Sequence, residues 1–380
     1  MPWQESSTVS LRHEFVRLAQ AEGANMRALS RAFHISPTTA YRLLARARAG
    51  DTGLADRSHR PLTMPRHTSP EVEAQVLALR AEHPAWGGRK LRARLLALGV
   101  ASVPAASTIT DILHRADAVP PRTAGPATGR DWQRFEHPYP NALWQMDFKG
   151  HVPLAAGTAR CHPLTVLDDH SRFNLVLAAC ADEQTATVQQ RLTACFQRYG
   201  LPDGILCDNG PPWGEGGKQP YTVLGAWLLR LGIAVHHGRP YHPQTQGKDD
   251  RFHRTLVVEL LTGPPDPTLE RAQQRFDRWR DCYNLERPHE ALDYATPVTR
   301  YTPSERLFPA VLPPIVYAPG DQVRMVQRAG VIDYRGRSWY VGKAFRGQPV
   351  GLRPTATDGQ LAVYFCHQRI TTLDLHTSPR

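Results

Sequence analysis

The sequence predicts a multidomain chain: all-α helix-turn-helix modules first, a mixed α/β core in the middle, and a small antiparallel β-barrel last. Apolar residues recur at helical spacing through the first third. In the middle, short strand-like runs such as LTVLDD and FNLVLAA alternate with helical patterns. Near the end, β-formers alternate and are broken at Arg335-Gly336 and Asp358-Gly359. With 380 residues, the chain is long enough for two or three separate cores, so a single unit is not expected. The domain limits read as 1–50 (helix-turn-helix), 51–69 (basic linker), 70–118 (second helical module), 119–139 (linker), 140–300 (α/β core), 301–316 (linker) and 317–380 (β-barrel).

Lys and Arg number 46 against 35 Asp and Glu, a formal charge of +11, which favours a polyanionic partner such as nucleic acid. Many basic proteins bind none, so charge alone does not decide. The six cysteines form no CxxC pair and mostly sit among apolar neighbours, which disfavours a disulfide scaffold and a thiolate zinc site. MPWQESSTVS carries no basic-then-apolar signal, and no apolar run approaches the ~20 residues of a membrane span. The expectation is a soluble, cytoplasmic protein with no membrane partner.

Between Leu11 and Ala49 the pattern gives three short helices, the second capped by Asn25 and the third opened by Ser36 and Pro37. Ala28, Leu29, Ala32 and Phe33 are expected to pack on Leu43 and Leu44, with Ile35 filling the turn. Thr38, Thr39, Arg42 and Arg46 are then left outside for a major groove, as in a helix-turn-helix, although a plain three-helix bundle fits the same pattern. The following stretch is broken by Pro61, Pro65 and Pro70, and its Arg57 and Arg60 suit either DNA or solvent. Helices are expected near Pro70 to Glu82, Gly88 to Leu98 and Ala105 to Asp117. In the middle one, Leu91, Leu95 and Leu98 form one face while Arg89, Arg92 and Arg94 point away, the look of a second DNA-binding module.

In WQMDFKG, Asp147 lies on the strand face opposite Trp144, Met146 and Phe148. Val188, Leu192, Cys195, Phe196 and Tyr199 recur at helical spacing up to a stop at Gly200. GILC delivers Asp208 at the carboxyl end of a strand, where α/β sheets place their chemistry. Asp250 lies on a helix expected from about Pro243 to Leu261. Phe252, Leu256 and Leu260 form its buried stripe, and Gln246, Asp250, His253 and Arg254 share another face.

Taken together, WQMDFKG, CDNGPPWG, HGRPYHPQTQGKDDRFHRTL and YNLERPHEALDYATP resemble, in order, the signature blocks of bacterial insertion-sequence transposases of the DDE type. Those enzymes have a retroviral-integrase-type catalytic core. The upstream GLADRSHRP and downstream RGRSWYVG segments are similar to the flanking domains of such enzymes, so the resemblance runs nearly the full length. It implies an RNase H-like core. Two departures stand out. Retroviral integrases begin with a His and Cys zinc module, but no cysteine precedes Cys161 here. The family block ends Lys, any residue, Glu, Arg, whereas this chain has Lys248, Asp249, Asp250, Arg251, so Asp250 takes the glutamate position one methylene short. Asp249 is the poorer candidate, because one residue along a helix turns a side chain by about 100°.

The resemblance implies hydrolysis at a transposon end, then in-line attack of the 3′ hydroxyl on target DNA. Two Mg²⁺ ions per active site, with Mn²⁺ as substitute, are implied: Asp147 bridging both, Asp208 on one and Asp250 on the other. Asn209, His242, Gln244, Lys248, Arg251, His253 and Arg254 are implied around DNA phosphates, beside plain structural or solvated readings for each. Asp168, Asp169 and Glu259 read as surface acids without a ligand role, and Arg287 and His289 as packing. The partners implied are double-stranded DNA, as transposon ends and target, and a second or further copy of the chain. The competing readings are a catalytically silent DNA-binding derivative marked by Asp250, and an RNase H-like ribonuclease. The latter leaves the helix-turn-helix modules unexplained.

Overall fold

The computed structural model describes residues 7–56, 68–119, 136–155, 159–214, 221–238 and 247–377. The chain divides into two compact units, 1–67 and 68–380.

In the first unit, α1 (Thr8–Ala19), α2 (Met26–Ala32) and α3 (Pro37–Arg48) each start at a side-chain cap: Ser7, Asn25 and Ser36 accept from backbone N–H groups one turn in. Phe15, Val16, Ala19, Ala40, Leu43, Leu44 and Leu54 make the core, with Leu29, Phe33 and Ile35 at its edge. Ala28 and Ala32, expected inside, are exposed. Ser30 takes the interior position instead, its hydroxyl satisfied by Met26 O at 2.7 Å.

The second unit opens with α4 (Pro70–Glu82), α5 (Gly88–Ala97) and α6 (Ala106–Arg115) around Val76, Trp86, Leu91, Leu95, Ile109, Ile112 and Leu113. Gly88 lets α5 cross α6 closely: a Cβ there would stand 2.4 Å from Ala106 O. Leu98, expected on the inner face, is 56% exposed, because it is already the C-cap of α5.

A mixed sheet follows, from β1 (Trp144–Phe148), β2 (Val152–Pro153), β3 (Arg160–Asp168), β4 (Asn174–Cys180), β5 (Gly204–Cys207) and β6 (Ala234–His237). The order is β2-β3-β1-β5-β6, with β4 also paired to β3; β1, β3 and β4 are antiparallel, while β1-β5 and β5-β6 are parallel. One face packs on α7 (Thr185–Tyr199) and α8 (Val223–Arg230) through Trp144, Met146, Leu164, Val188, Phe196 and Leu228. The other packs on α9 (Gly247–Leu256), a π-helical turn at Val257–Leu261 and α10 (Leu269–Leu285) through Leu177, Phe252, Leu256, Leu260 and Phe276. Alternation along β1 thus turns Trp144 and Met146 to one face. It leaves Gln145 and Asp147 toward the other.

The tail contains β7 (Gln322–Met325), β8 (Val331–Tyr334), β9 (Arg337–Tyr340), β10 (Pro349–Pro354), β11 (Gln360–Phe365) and β12 (Gln368–Asp374). It is antiparallel as expected, in the form of a four-stranded sheet β12-β11-β10-β7 and a hairpin β8-β9 around shared apolar residues. Arg335 and Gly336 both have positive φ, as a tight hairpin turn requires. Gln368 reaches β6, accepting from Val235 N and donating to Val235 O. It thereby satisfies backbone groups on an edge strand. No helix among the described residues is long and apolar enough to cross a membrane.

Candidate active site and nucleic-acid interface

The β1-β5 ladder pairs Trp144 with Ile205 and Gln145 with Leu206. Continued at the same register, it sets Asp147 level with Asp208, just past the end of β5. Neighbouring strands lie about 4.8 Å apart, so the backbones at these two acids are adjacent. Asp147 is half-buried, whereas Asp208 and Asp250 are exposed. Burial pushes the Asp147 carboxyl up to about 6, and the charges of Asp208, Asp250 and Glu183 add to the rise. The backbone N–H of Phe148, donating to Asp147 Oδ1 at 2.8 Å, works against it.

CDNGPPWG has a local logic. Trp213 N and Gly214 N both donate to Gly210 O, which folds the segment back, and Trp213 stacks on Phe148 with centroids 5.7 Å apart. Gly214 has no space for a side chain, since a Cβ would stand 2.6 Å from Asn209 O. Asn209 donates to Gly238 O at 2.7 Å and so ties the turn after β5 to the end of β6.

The first turn of α9 is pinned from one side by Asp169. Its Oδ2 lies 2.5 Å from Lys248 Nζ, and it also accepts from His137 N and from Gln145 Nε2. Lys248 is therefore an internal strut rather than a free contact for phosphate. Asp169 and Asp168 are 1% and 0% exposed, so the expectation of surface acids fails. Asp168 is filled by Asn141 N, Ser171 N and Ser171 Oγ. Glu259 likewise faces inward, bonded to Arg287 Nε at 3.0 Å with Lys90 3.8 Å away.

Beneath Asp147 lie Asp249, by sequence the poorer candidate for the third acid, and His253. Asp249 is 1% exposed, and its Oδ2 has no hydrogen-bond partner among the described residues. His253 Nε2 stands 3.5 Å from that oxygen. Thr165 Oγ1 is 2.9 Å from His253 Nε2, 2.9 Å from Asp147 O and 3.4 Å from Asp249 Oδ1. Asp147, Asp249 and His253 each offer one ligand atom, all within 4.8 Å of one another. Burial, reinforced by Asp147, holds the Asp249 carboxyl well above the usual range. Burial and then Lys149 push His253 down to about 4. His253 thus turns inward with Asp249, not outward with Asp250 as expected. The signal was present as an acid and a histidine at i, i+4, in phase with Phe252 and Leu256.

On α3, Thr38 and Arg42 are exposed, together with Tyr41 and Arg48, which the sequence reading had not singled out. Thr39 is half-buried and bonded to Ser36. Arg46 is held by Asp51 Oδ2 (2.9 and 2.7 Å) and Ala55 O, so it braces the loop after α3. Arg89 and Arg92 are exposed on α5, Arg89 within 3.3 Å of Glu290; Arg94, expected to point free, pairs with Glu286. Arg251 and Arg254 are exposed on α9. Arg57, Arg60, His242 and Gln244 lie outside the described residues.

Residues 137–243 and 231–297 match integrase core domains, and residues 321–379 match the IS481 family transposase C-terminal domain. Residues 11–61 match a helix-turn-helix domain and residues 39–113 a homeodomain-like domain. The chain is 29% identical over 164 residues to the Gag-Pro-Pol polyprotein of Sheep pulmonary adenomatosis virus, covering 43% of this chain and 8% of that protein. To the putative transposase for insertion sequence element IS5376 of Geobacillus stearothermophilus it is 22% identical over 248 residues, covering 62% and 59%. Both matches span less than two thirds of the relative's own length. Among solved structures, the catalytic core domain of BIV integrase aligns with TM-score 0.31 and 21% identity, over 42% of this chain and 92% of that one.

Proposed function

Because the chain belongs to the insertion-sequence transposases with an integrase-type core, we propose that it binds the terminal inverted repeats of its element. On this reading it cleaves there and transfers the 3′ hydroxyl into target DNA as a dimer or larger assembly. Asp147, Asp208 and Asp250 are the acids of the site. The observation that carries this reading is the register that sets Asp147 level with Asp208, with the charge of Asp250 also bearing on Asp147. An Asp147 carboxyl whose proton affinity is raised by burial and by neighbouring acids fits a divalent cation: hard oxygen donors suit Mg²⁺ or Mn²⁺. A pair of such ions, when bound, supplies activation of the attacking oxygen and stabilisation of the leaving one. The chain's own part is positional. Trp213 on Phe148 fixes the turn after Asp208, and Asp169 with Lys248 fixes the start of the helix that carries Asp250. Thr38 and Arg42 on α3, and Arg89 and Arg92 on α5, serve as DNA contacts, with Arg251 and Arg254 beside the acids. The place of action that follows is the bacterial nucleoid.

The test is purified protein with labelled duplexes from the DNA flanking its coding region, with Mn²⁺. The expected product is a 3′-end nick that is lost in Asp208→Asn. End binding without nicks, with nicks gained in Asp250→Glu, would instead support a silent DNA-binding derivative in which the shortened third acid disables cleavage.

A further inference from the structure

We propose that Asp147, Asp249 and His253 form a second kind of cation site, beneath the exposed acids, for a divalent metal that accepts nitrogen as well as oxygen, such as Mn²⁺, Co²⁺ or Zn²⁺. The three ligand atoms lie within 4.8 Å of one another. Ligands about 2.1 Å from a common ion are at most about 4.2 Å apart, so closure needs a shift of only some tenths of an ångström. The cluster is built rather than incidental. Asp249 and His253 stand one helical turn apart on α9 and face Thr165, which pairs with Asp147 across the β1-β3 ladder.

What points to a ligand is Asp249 Oδ2. It is buried, directed at His253 Nε2 and without a hydrogen-bond donor among the described residues. A buried carboxylate oxygen left without a partner carries a desolvation cost that no hydrogen bond offsets. Thr165 does not supply the missing donor: its hydroxyl lies beside Asp249 Oδ1, Asp147 O and His253 Nε2, and Oδ2 stays without a partner among the described residues. A cation satisfies both carboxylates and the imidazole lone pair together. The nitrogen sets the chemical class, because Mg²⁺ favours an all-oxygen octahedron whereas imidazole suits the transition ions and zinc. Asp147 is shared with the outer acids, so occupancy of the inner site alters the ligand available outside. Cation uptake here does not depend on whether the chain transfers DNA strands.

The experiment uses tag-free full-length protein without DNA, loaded with Mn²⁺ and read by pulsed EPR for nitrogen coupling. Nitrogen modulation is expected in the parent and in Asp208→Asn, and is expected to vanish in His253→Gln. Asp249→Asn is expected to weaken Mn²⁺ binding at least about tenfold, with folding checked by circular dichroism. No nitrogen modulation in the parent at saturating Mn²⁺, or modulation that persists in His253→Gln, overturns the proposal. Should His253→Gln fail to fold, His253→Cys with Co²⁺ decides. A thiolate charge-transfer band supports ligation by position 253, and its absence from folded, Co²⁺-saturated protein overturns it.

Discussion

Asp249 and Asp250 are chemically identical neighbours on α9, yet one is 1% exposed beneath Asp147 and the other faces solvent. The phase of the helix makes the difference. Phe252, Leu256 and Leu260 fix which side meets the sheet, and Asp249 and His253 fall on that side. A charge turned outward is available to ions and to DNA, whereas a charge turned inward must be answered by the protein itself. The same division separates Lys248 from Arg254, and Arg46 from Arg42.

The outward set is most sharply tested at Asp208. Asp208→Asn keeps size and removes the charge, and is expected to cut Mn²⁺-dependent nicking by at least about a thousandfold, about 4 kcal/mol in barrier. Nicking within tenfold of the parent would break the division, because an exposed acid beside Asp147 would then have no part in the reaction. Next in size is Lys248→Met. It leaves Asp169 buried with its cation removed and is expected to cost about 3 kcal/mol of stability, read by urea unfolding. A change under about 0.5 kcal/mol would return Lys248 to the outward set.

Much of this was legible in the sequence, for reasons that also explain the failures. The helix through Tyr199 and its stop at Gly200, the strand that ends just before Asp208 and the stripe along the helix of Asp250 all came from periodicity, which registers burial directly. Asp249 was discarded by a correct rotation of about 100° applied to the wrong question: it leaves the groove but enters the sheet side. Lys248, Arg46 and Asp168 were misplaced because their partners Asp169, Asp51 and Asn141 are set by loops and long-range packing, which periodicity does not report.

A half-buried cation on α5 gives a smaller and pH-dependent effect. Lys90 is pushed down to about 8, first by burial and then by Arg287, against the pull of Glu259. Folding therefore costs Lys90 a proton between about pH 8 and its ordinary 10.5, and the stability penalty of burying its charge is fully present below pH 8. That penalty fades as pH rises through this window, so the parent gains stability relative to Lys90→Met, on the order of 2 kcal/mol. Parallel unfolding curves for the two proteins from pH 7 to 10.5 are the check, and a stability difference flat with pH would show that Lys90 is effectively solvated.

The smallest effect separates two arginines on one helix. Arg42 is exposed, and Arg42→Ala is expected to weaken binding to duplex DNA and lower the slope of log affinity against log salt by about 1, the signature of one lost phosphate contact. Arg46 spends its guanidinium on Asp51 and Ala55 O, so Arg46→Ala is expected to leave the salt slope alone. It is expected instead to destabilise the first unit by about 1 kcal/mol, through the loss of hydrogen bonds that hold the loop after α3. If the two variants exchange these signatures, Arg46 leaves Asp51 when DNA binds, and the inward charge on α3 is a reserve contact instead of a brace.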